Sequence, residues 1–264
     1  MVRILLTNDD GIHSEGIAKL EEALREVGDV YVVAPASEMS GASHSLTLSR
    51  PLRIRQIDER HWTVDGTPTD CVTLALNQIL PEDERPHVCC SGINYGGNLG
   101  DDASYSGTVA GALEATILGV PGLAFSLVTR ENYDFTEAAR FAVVAVRRVL
   151  EEGLPEGTLL NVNIPPGEIK GAKVTRQGIK QARPIITEHI DPRGKAYYWI
   201  GEEVFTHKHG EGTDYDAVEQ GYASVTPLRS DMTNHSALVA LEGWNTIRFE
   251  ETGREQQEQP AGLD

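Results

Sequence analysis

Cysteine is nearly absent from this chain of 264 residues, which has only Cys71, Cys89 and Cys90. Three thiols, two of them adjacent, make no disulfide framework, and no Cys/His spacing of the zinc-site type accompanies them. The chain therefore reads as a reduced, cytoplasmic protein. Also missing is an apolar run of membrane-spanning length. The opening Met-Val-Arg-Ile-Leu-Leu-Thr passes straight into a strand pattern, which leaves no room for a signal peptide. Positive charge is scarce too. Against 40 Asp and Glu stand 23 Lys and Arg, a net charge of −17. Duplex nucleic acid and anionic membranes are thereby excluded as partners, since both need a cationic counterpart. An anionic substrate would need a site that inverts the local field, and a bound cation is the simplest device for that.

What is present is enough apolar material, 40% of the residues, for a substantial core. Arg3 to Thr7 is an apolar run of strand length that ends in Asn8-Asp9-Asp10-Gly11. Ile17, Leu20, Leu24 and Val27 follow at spacings of three and four, which predicts a helix stopping at Gly28. Asp29 to Pro35 reads as a second buried strand, so a right-handed βαβ unit opens the chain. Leu52–Ile57 and His61–Val64 alternate like an edge hairpin, and Pro68 opens a helix with Val72, Leu76, Ile79 and Leu80 on its apolar face. Pro86–Ser91, Val120–Leu127 and Leu159–Ile164 are further strands, the last of them expected to end the sheet. Phe135–Leu150 is a helix with Phe141, Val144, Val149 and Leu150 on or near its buried side. From Lys170 the pattern turns to short alternating runs, Ala172–Thr175 and Tyr197–Ile200, and to turn signals such as Asp191-Pro192-Arg193-Gly194. These predict hairpins projecting from the core, with Tyr197, Tyr198 and Trp199 offering aromatic surface to a subunit contact or to a wall over the site. A short helix over Asp214–Gln220 and a strand over Tyr222–Pro227 follow, then a charged, Gln-rich tail that reads as disordered.

The carboxyl ends of parallel strands are where open α/β sheets gather ligands. Asp9 and Asp10 stand at such an end, where a Gly-assisted turn lets both carboxylates converge on a hard cation. A helix cap beside a turn residue is the plainer account of the same pair. The Ala36–Ser45 segment leaves the same edge as a hydroxyl-rich loop containing Ser40 and His44. Ser91 to Asp102 carries four glycines among asparagines and aspartates, which lets backbone N–H groups approach a ligand closely. It matches neither the Walker nor the dinucleotide fingerprint. Ser106-Gly107-Thr108-Val109 then opens a small-residue helix whose N-terminus suits a phosphate, or simply a serine cap.

Taken in order and spacing, these four motifs resemble the SurE family, the survival-protein E nucleotidases. The resemblance continues through Asp191–Gly194 with Tyr197-Tyr198-Trp199-Ile200, and through Gly221-Tyr222-Ala223-Ser224-Val225-Thr226-Pro227-Leu228. It implies an α/β fold, a Rossmann-like three-layer α/β/α sandwich with protruding β-hairpins and a C-terminal exchange segment. Residues 1–168 would form the catalytic core, 169–250 a hairpin and oligomerisation region completing the same domain, and 251–264 the tail. The implied activity is metal-dependent hydrolysis of nucleoside 5′- and 3′-monophosphates, extending to short polyphosphate. One divalent metal per subunit, Mg²⁺ or Mn²⁺, would be held by Asp9, Asp10, Ser40 and Asn94. Phosphate would be received near Asn98 and by Ser106, Gly107 and Thr108, and the subunits would pair as a homodimer or homotetramer.

The residues agree chemically with that implication. Two carboxylates, a hydroxyl and an amide oxygen form an all-oxygen set that suits Mg²⁺ or Mn²⁺ better than zinc. In-line attack by an activated water is expected, with Asp10 as base or orienter, Asp9 beside it, and His44 as candidate donor to the leaving alkoxide. A phosphorylated aspartate is the competing route. The rival function is a nucleotide-binding regulatory module without turnover, marked by loss of Asp9 or Asp10, and both are present. A metal-dependent deacetylase would favour histidine ligands, and these motifs offer only His44.

Overall fold

A computed structural model of the chain describes residues 1–129, 131, 133–208 and 210–247. The tail expected over 251–264 lies outside the described residues. The chain divides into two units, Met1–Ser230 and Asp231–Asp264. The described part of the second consists of 3₁₀ turns at His235–Ala237 and Val239–Thr246.

In the first unit the elements are β1 (Arg3–Thr7), α1 (Glu15–Leu24), β2 (Asp29–Pro35), β3 (Ile54–Gln56), β4 (His61–Val64), α2 (Pro68–Leu74) and β5 (Val88–Tyr95). There follow α3 (Gly107–Ile117), β6 (Gly122–Leu127), α4 (Thr136–Glu152), β7 (Thr158–Ile164) and β8 (Ala172–Val174). The last are β9 (Ile179–Ile190), β10 (Ala196–Lys208), α5 (Asp214–Glu219) and β11 (Ala223–Arg229). A nine-stranded sheet runs β3-β4-β2-β1-β5-β6-β7-β11-β8, and its central pairs β2–β1, β1–β5, β5–β6 and β6–β7 are all parallel.

Strand alternation divides the core. Ile4, Leu6, Val30, Val32 and Cys90 face α1 and α4, whereas Leu5, Val33 and Cys89 face α2 and α3. The result is an α/β/α sandwich of the Rossmann-like kind. Cys89 and Cys90 do face opposite ways, and all three thiols are buried and free. Burial pushes the Cys89 thiol up to about 12, so it behaves as a small apolar side chain.

Several expectations need correcting. The sheet does not end at β7, because β11 pairs antiparallel with it and β8 pairs parallel with β11. Leu228 of β11 packs against the apolar cluster that contains Leu159 of β7. Segment Ala172–Thr175 thus feeds the sheet, and a single long β9–β10 ribbon forms the hairpin. Its turn is closed by Asp191, whose Oδ1 accepts the Arg193 and Lys195 N–H groups at 2.8 and 2.9 Å. Val144 is 63% exposed, and Val143 and Val146 take the buried side of α4. The helix begins one residue later than the pattern placed it, which leaves Phe135 as its cap and not its first residue. The α2 pattern is α-helical only to Leu74 and continues as a π-helical turn over Ala75–Ile79. Strand β5 runs on through Ile93, Asn94 and Tyr95, into what read as loop.

Helix α1 packs tightly on that extension. A Cβ placed on Gly16 would lie 2.0 Å from the Ile93 carbonyl oxygen, so only glycine permits the approach. Replacing Gly16 with Ala forces backbone against backbone, and Gly16→Ala is expected to lower unfolding stability by about 1–3 kcal/mol. Urea denaturation checks this, and an unchanged midpoint would refute it.

Candidate active site

The site is built where β1, β2 and β5 end. After β1 the Asn8 amide donates to the Gly11 carbonyl at 2.9 Å and to the Ser14 hydroxyl at 2.8 Å, and Gly11 adopts φ +91°. This pins the turn that carries Asp9 and Asp10. Asp9 is 5% exposed and accepts a hydrogen bond from the Thr108 hydroxyl. The Gly107 and Thr108 backbone N–H groups, at the positive end of α3, also bear on its carboxylate. A Cβ on Gly107 would sit 2.7 Å from the Asp9 Cβ, so glycine is what lets the helix terminus come this close.

A cavity of about 750 Å³ opens in front of these groups. Its wall includes Asp9, Asp10, Ser40, Asn94, Asn98 and Ser106, so the structure brings those six predicted residues together. Gly107 and Thr108 stand behind the wall, and Thr108 is fully buried with its hydroxyl given to Asp9. His44 does not line the cavity. Its Nε2 is hydrogen-bonded to Glu114 at 2.8 Å.

The placement of each donor has a local cause. Between Ser91 and Asn94 the β5–β6 register shifts, with one more residue on β5 than on β6. Such a bulge re-aims a side chain, here that of Asn94. Its Nδ2 donates to the Gly96 carbonyl at 2.8 Å, which leaves the amide oxygen as the atom to offer an ion. The Ser40 hydroxyl donates to Glu38 at 2.8 Å. Ser106 caps α3, accepting the Val109 N–H at 3.1 Å.

Asn98 is held from beneath. Its N–H donates to the Asn163 Oδ1 at 2.7 Å, its amide to the Ser126 hydroxyl at 2.8 Å, and its carbonyl accepts the Asn161 amide at 2.8 Å. Asp214, fully buried, accepts the Gly100 N–H at 2.7 Å and the Gly178 N–H at 2.8 Å. One carboxylate thereby ties the glycine-rich loop to the foot of the β9–β10 ribbon.

The sequence reading missed Glu38, Tyr95, Asp102, Tyr105, Tyr133 and Lys180 on the cavity wall. Tyr95 and Tyr133 meet at 4.0 Å between ring centroids. Lys180 is 13% exposed on its side chain and pairs with Asp102 at 2.7 Å. Asp102 lay inside the motif already singled out, so it was within reach. Lys180 comes from a ribbon that no local pattern attaches to the site.

Electrostatically the site is short of positive charge. Burial pushes the Asp9 carboxyl above its ordinary value, against the pull of the Thr108 hydrogen bond. Asp10 is pushed up to about 7, first by burial and then by the negative charges of Asp9 and Glu38. Among the described lining residues Lys180 is the cation, and Asp102 already neutralises it. Among the described residues no group of three or more His, Cys, Asp and Glu side chains gathers as a metal site. What does gather is two crowded carboxylates with a hydroxyl and an amide oxygen. That donor set fits a hard divalent cation, which would relieve the like-charge crowding and leave room for water and a phosphate oxygen.

The residues matched by the family model for survival protein SurE are 4–184. The chain belongs to the SurE family. A relative named 5′-nucleotidase SurE, from Aquifex aeolicus (strain VF5), is 52% identical over 92% of this chain and 98% of its own length. A second of the same name, from Myxococcus xanthus (strain DK1622), is 50% identical over 94% of this chain and 95% of its own. A crystal structure of the SurE protein from Aquifex aeolicus superposes with a TM-score of 0.82 at 51% identity, covering 92% of this chain and 99% of that one. No helix among the described residues is long and apolar enough to cross a membrane.

The raised Asp10 carboxyl has a measurable consequence. Its folded value, about 7, lies above the unfolded one, so between roughly pH 4 and pH 7 the folded state holds more protons. Stability of the metal-free protein should therefore fall as pH rises through that window. Asp10→Asn should flatten the fall, and saturating divalent cation should reverse it. Thermal melts from pH 4 to pH 8 with EDTA or Mn²⁺ check both, and a metal-free melt that rises over this window would contradict the argument.

Proposed function

We propose that the chain is a divalent-metal-dependent 5′-nucleotidase that hydrolyses nucleoside monophosphates to nucleoside and phosphate. What carries this is its half-identity, across nearly its whole length, to relatives bearing that name, on a chain that retains Asp9 and Asp10. We extend the reading to 3′-monophosphates and short polyphosphate as substrates, and to one Mg²⁺ or Mn²⁺ per subunit held by Asp9, Asp10, Ser40 and Asn94.

When bound, the metal supplies Lewis-acid polarisation of a phosphoryl oxygen and acidifies a water. Asp10, the more accessible carboxylate, would orient the attacking water and take its proton as the phosphorus–oxygen bond to the nucleoside breaks, the proton then passing to the leaving nucleoside oxygen. Asp9 is held rigid by Thr108 and Gly107, so it serves as a fixed ligand. Ser106 and Asn98 face the cavity and receive the phosphate oxygens, supported by the positive end of α3. Tyr95, Tyr105 and Tyr133 offer aromatic faces on which a nucleobase can stack. Commitment of both acids to the metal argues for direct attack by water over a phosphorylated aspartate. The regulatory-module alternative is not favoured, because both acids are present.

The same reading makes the protein a cytoplasmic homodimer or homotetramer that pairs by exchanging carboxy-terminal segments. Exposed Ile186, Tyr198, Trp199 and Ile200 on the ribbon support a subunit contact there. It also treats 1–168 as core and 169–250 as a hairpin and oligomerisation region.

The test is phosphate release from a panel of nucleoside 5′- and 3′-monophosphates and tripolyphosphate, with Mg²⁺, Mn²⁺ or EDTA. Release is expected to need metal and to fall about 100-fold or more in Asp9→Asn and in Asp10→Asn. Nucleotide binding by folded protein without release under any metal would instead establish the regulatory module.

A further inference from the structure

Ser40 lies near the start of the long loop between β2 and β3, and its position depends on how that loop is tied down. At the near end the Met39 N–H donates to the Asp9 carbonyl at 2.7 Å. Ser43 donates through its N–H to the Tyr105 carbonyl at 3.1 Å and through its hydroxyl to the Ser104 carbonyl at 2.8 Å. Beyond it, two buried carboxylates on neighbouring helices take over. Asp70 of α2 accepts the Thr47 N–H at 2.9 Å and its hydroxyl at 2.6 Å. Glu114 of α3 accepts His44 Nε2 at 2.8 Å and the Thr73 hydroxyl at 2.8 Å. Between these anchors the Ala42 N–H donates to the Met39 carbonyl at 3.2 Å, and a Cβ on Gly41 would meet nothing within 4 Å.

Glu114 is 7% exposed and stands outside the cavity wall. The hydrogen bond from His44 holds its carboxyl below the ordinary value, so it is ionised and accepts, and Nε2 carries the proton. Without His44 a buried carboxylate would keep only the Thr73 hydroxyl, an arrangement that favours rearrangement of the loop around it. A proton donor to a leaving alkoxide must reach it within about 3 Å. His44 instead gives its Nε2 proton to Glu114, and the cavity wall does not include it.

We propose that His44 is a positioning residue, which through Glu114 fixes the loop so that Ser40 stands over Asp9 and Asp10, and thereby sets the affinity for the divalent cation. This rests on the metal-site reading given above. It assigns His44 no proton-transfer step.

The experiment is a calorimetric Mn²⁺ titration of the metal-free wild type, His44→Ala and His44→Gln, with amide hydrogen exchange over 39–47 on the same samples. In His44→Ala, Mn²⁺ binding should weaken about 10-fold, as it does when a group supporting a ligand is lost. The Ser43 and Thr47 amides should exchange faster. His44→Gln should remain within about twofold of wild type, because its Nε2 lies as many bonds from the backbone as the imidazole Nε2 and can still donate. Turnover of His44→Ala should recover as Mn²⁺ is raised, with nucleotide KM at saturating Mn²⁺ within about twofold of wild type. Equal Mn²⁺ affinity in wild type and His44→Ala overturns the proposal. So does a loss of turnover at saturating Mn²⁺ that is as deep in His44→Gln as in His44→Ala, the mark of a proton donor. If the wild type binds no Mn²⁺, the metal-site reading fails, and the exchange comparison still decides whether His44 orders the loop.

Discussion

Two carboxylates on successive residues, crowded into the turn that follows a buried strand, are the constraint around which this molecule is arranged. In that setting burial raises the proton affinity of both, and the charges of Asp9 and Glu38 raise that of Asp10 further. Left alone the pair would take up protons or draw in water. The surrounding chain opposes that with dipoles. It supplies the Thr108 hydroxyl, the N–H groups that open α3 and the tight turn organised by Asn8. Fixed dipoles of this sort hold charge without bringing a counter-ion of their own. They leave the net deficit to be met by a ligand, which is how a strongly acidic protein can recruit a cation and then an anionic substrate in turn.

The fold places these dipoles by polar exceptions inside apolar elements. Strand β7 is buried, yet Asn161 and Asn163 point two amides at a single loop residue, Asn98. Helix α2 begins with a reciprocal cap between Thr67 and Asp70, and the same Asp70 carboxylate also takes up Thr47. Hydrogen bonds made by buried polar groups of this kind mark places where geometry is held tightly.

Strand ends and carboxylates were legible in the chain because they obey local rules. A buried apolar run followed by Asn-Asp-Asp-Gly announces a parallel strand ending in a ligand turn, and Ser106 announces a helix cap. The extension of the sheet by β11 and β8 was not legible, since pairing partners distant in sequence leave no periodic trace. Val144 was misplaced for a simpler reason. On a helix whose pattern offers Val143, Val144 and Val146, a rotation of one residue decides which is buried. Lys180 was hidden because its role depends on where a ribbon is aimed, and that is settled by Asp214 gripping backbone N–H groups from two distant glycines. His44 was visible as a residue but not by its partner, because Glu114 lies on another element entirely.

The Asn98 network has a consequence for traffic through the cavity. To swing the glycine-rich loop outward, the chain would have to break the Asn98 hydrogen bonds to Asn161, Asn163 and Ser126 in the dry interior and release the Asp214 grip on Gly100. That side of the cavity is a stiff wall. The Ser40 to Ala42 part of the loop is instead closed by a turn of its own, the Ala42 N–H donating to the Met39 carbonyl at 3.2 Å, with open space around Gly41. A ligand entering the cavity therefore meets a floor that resists displacement, and the room to adjust lies on the side of Gly41.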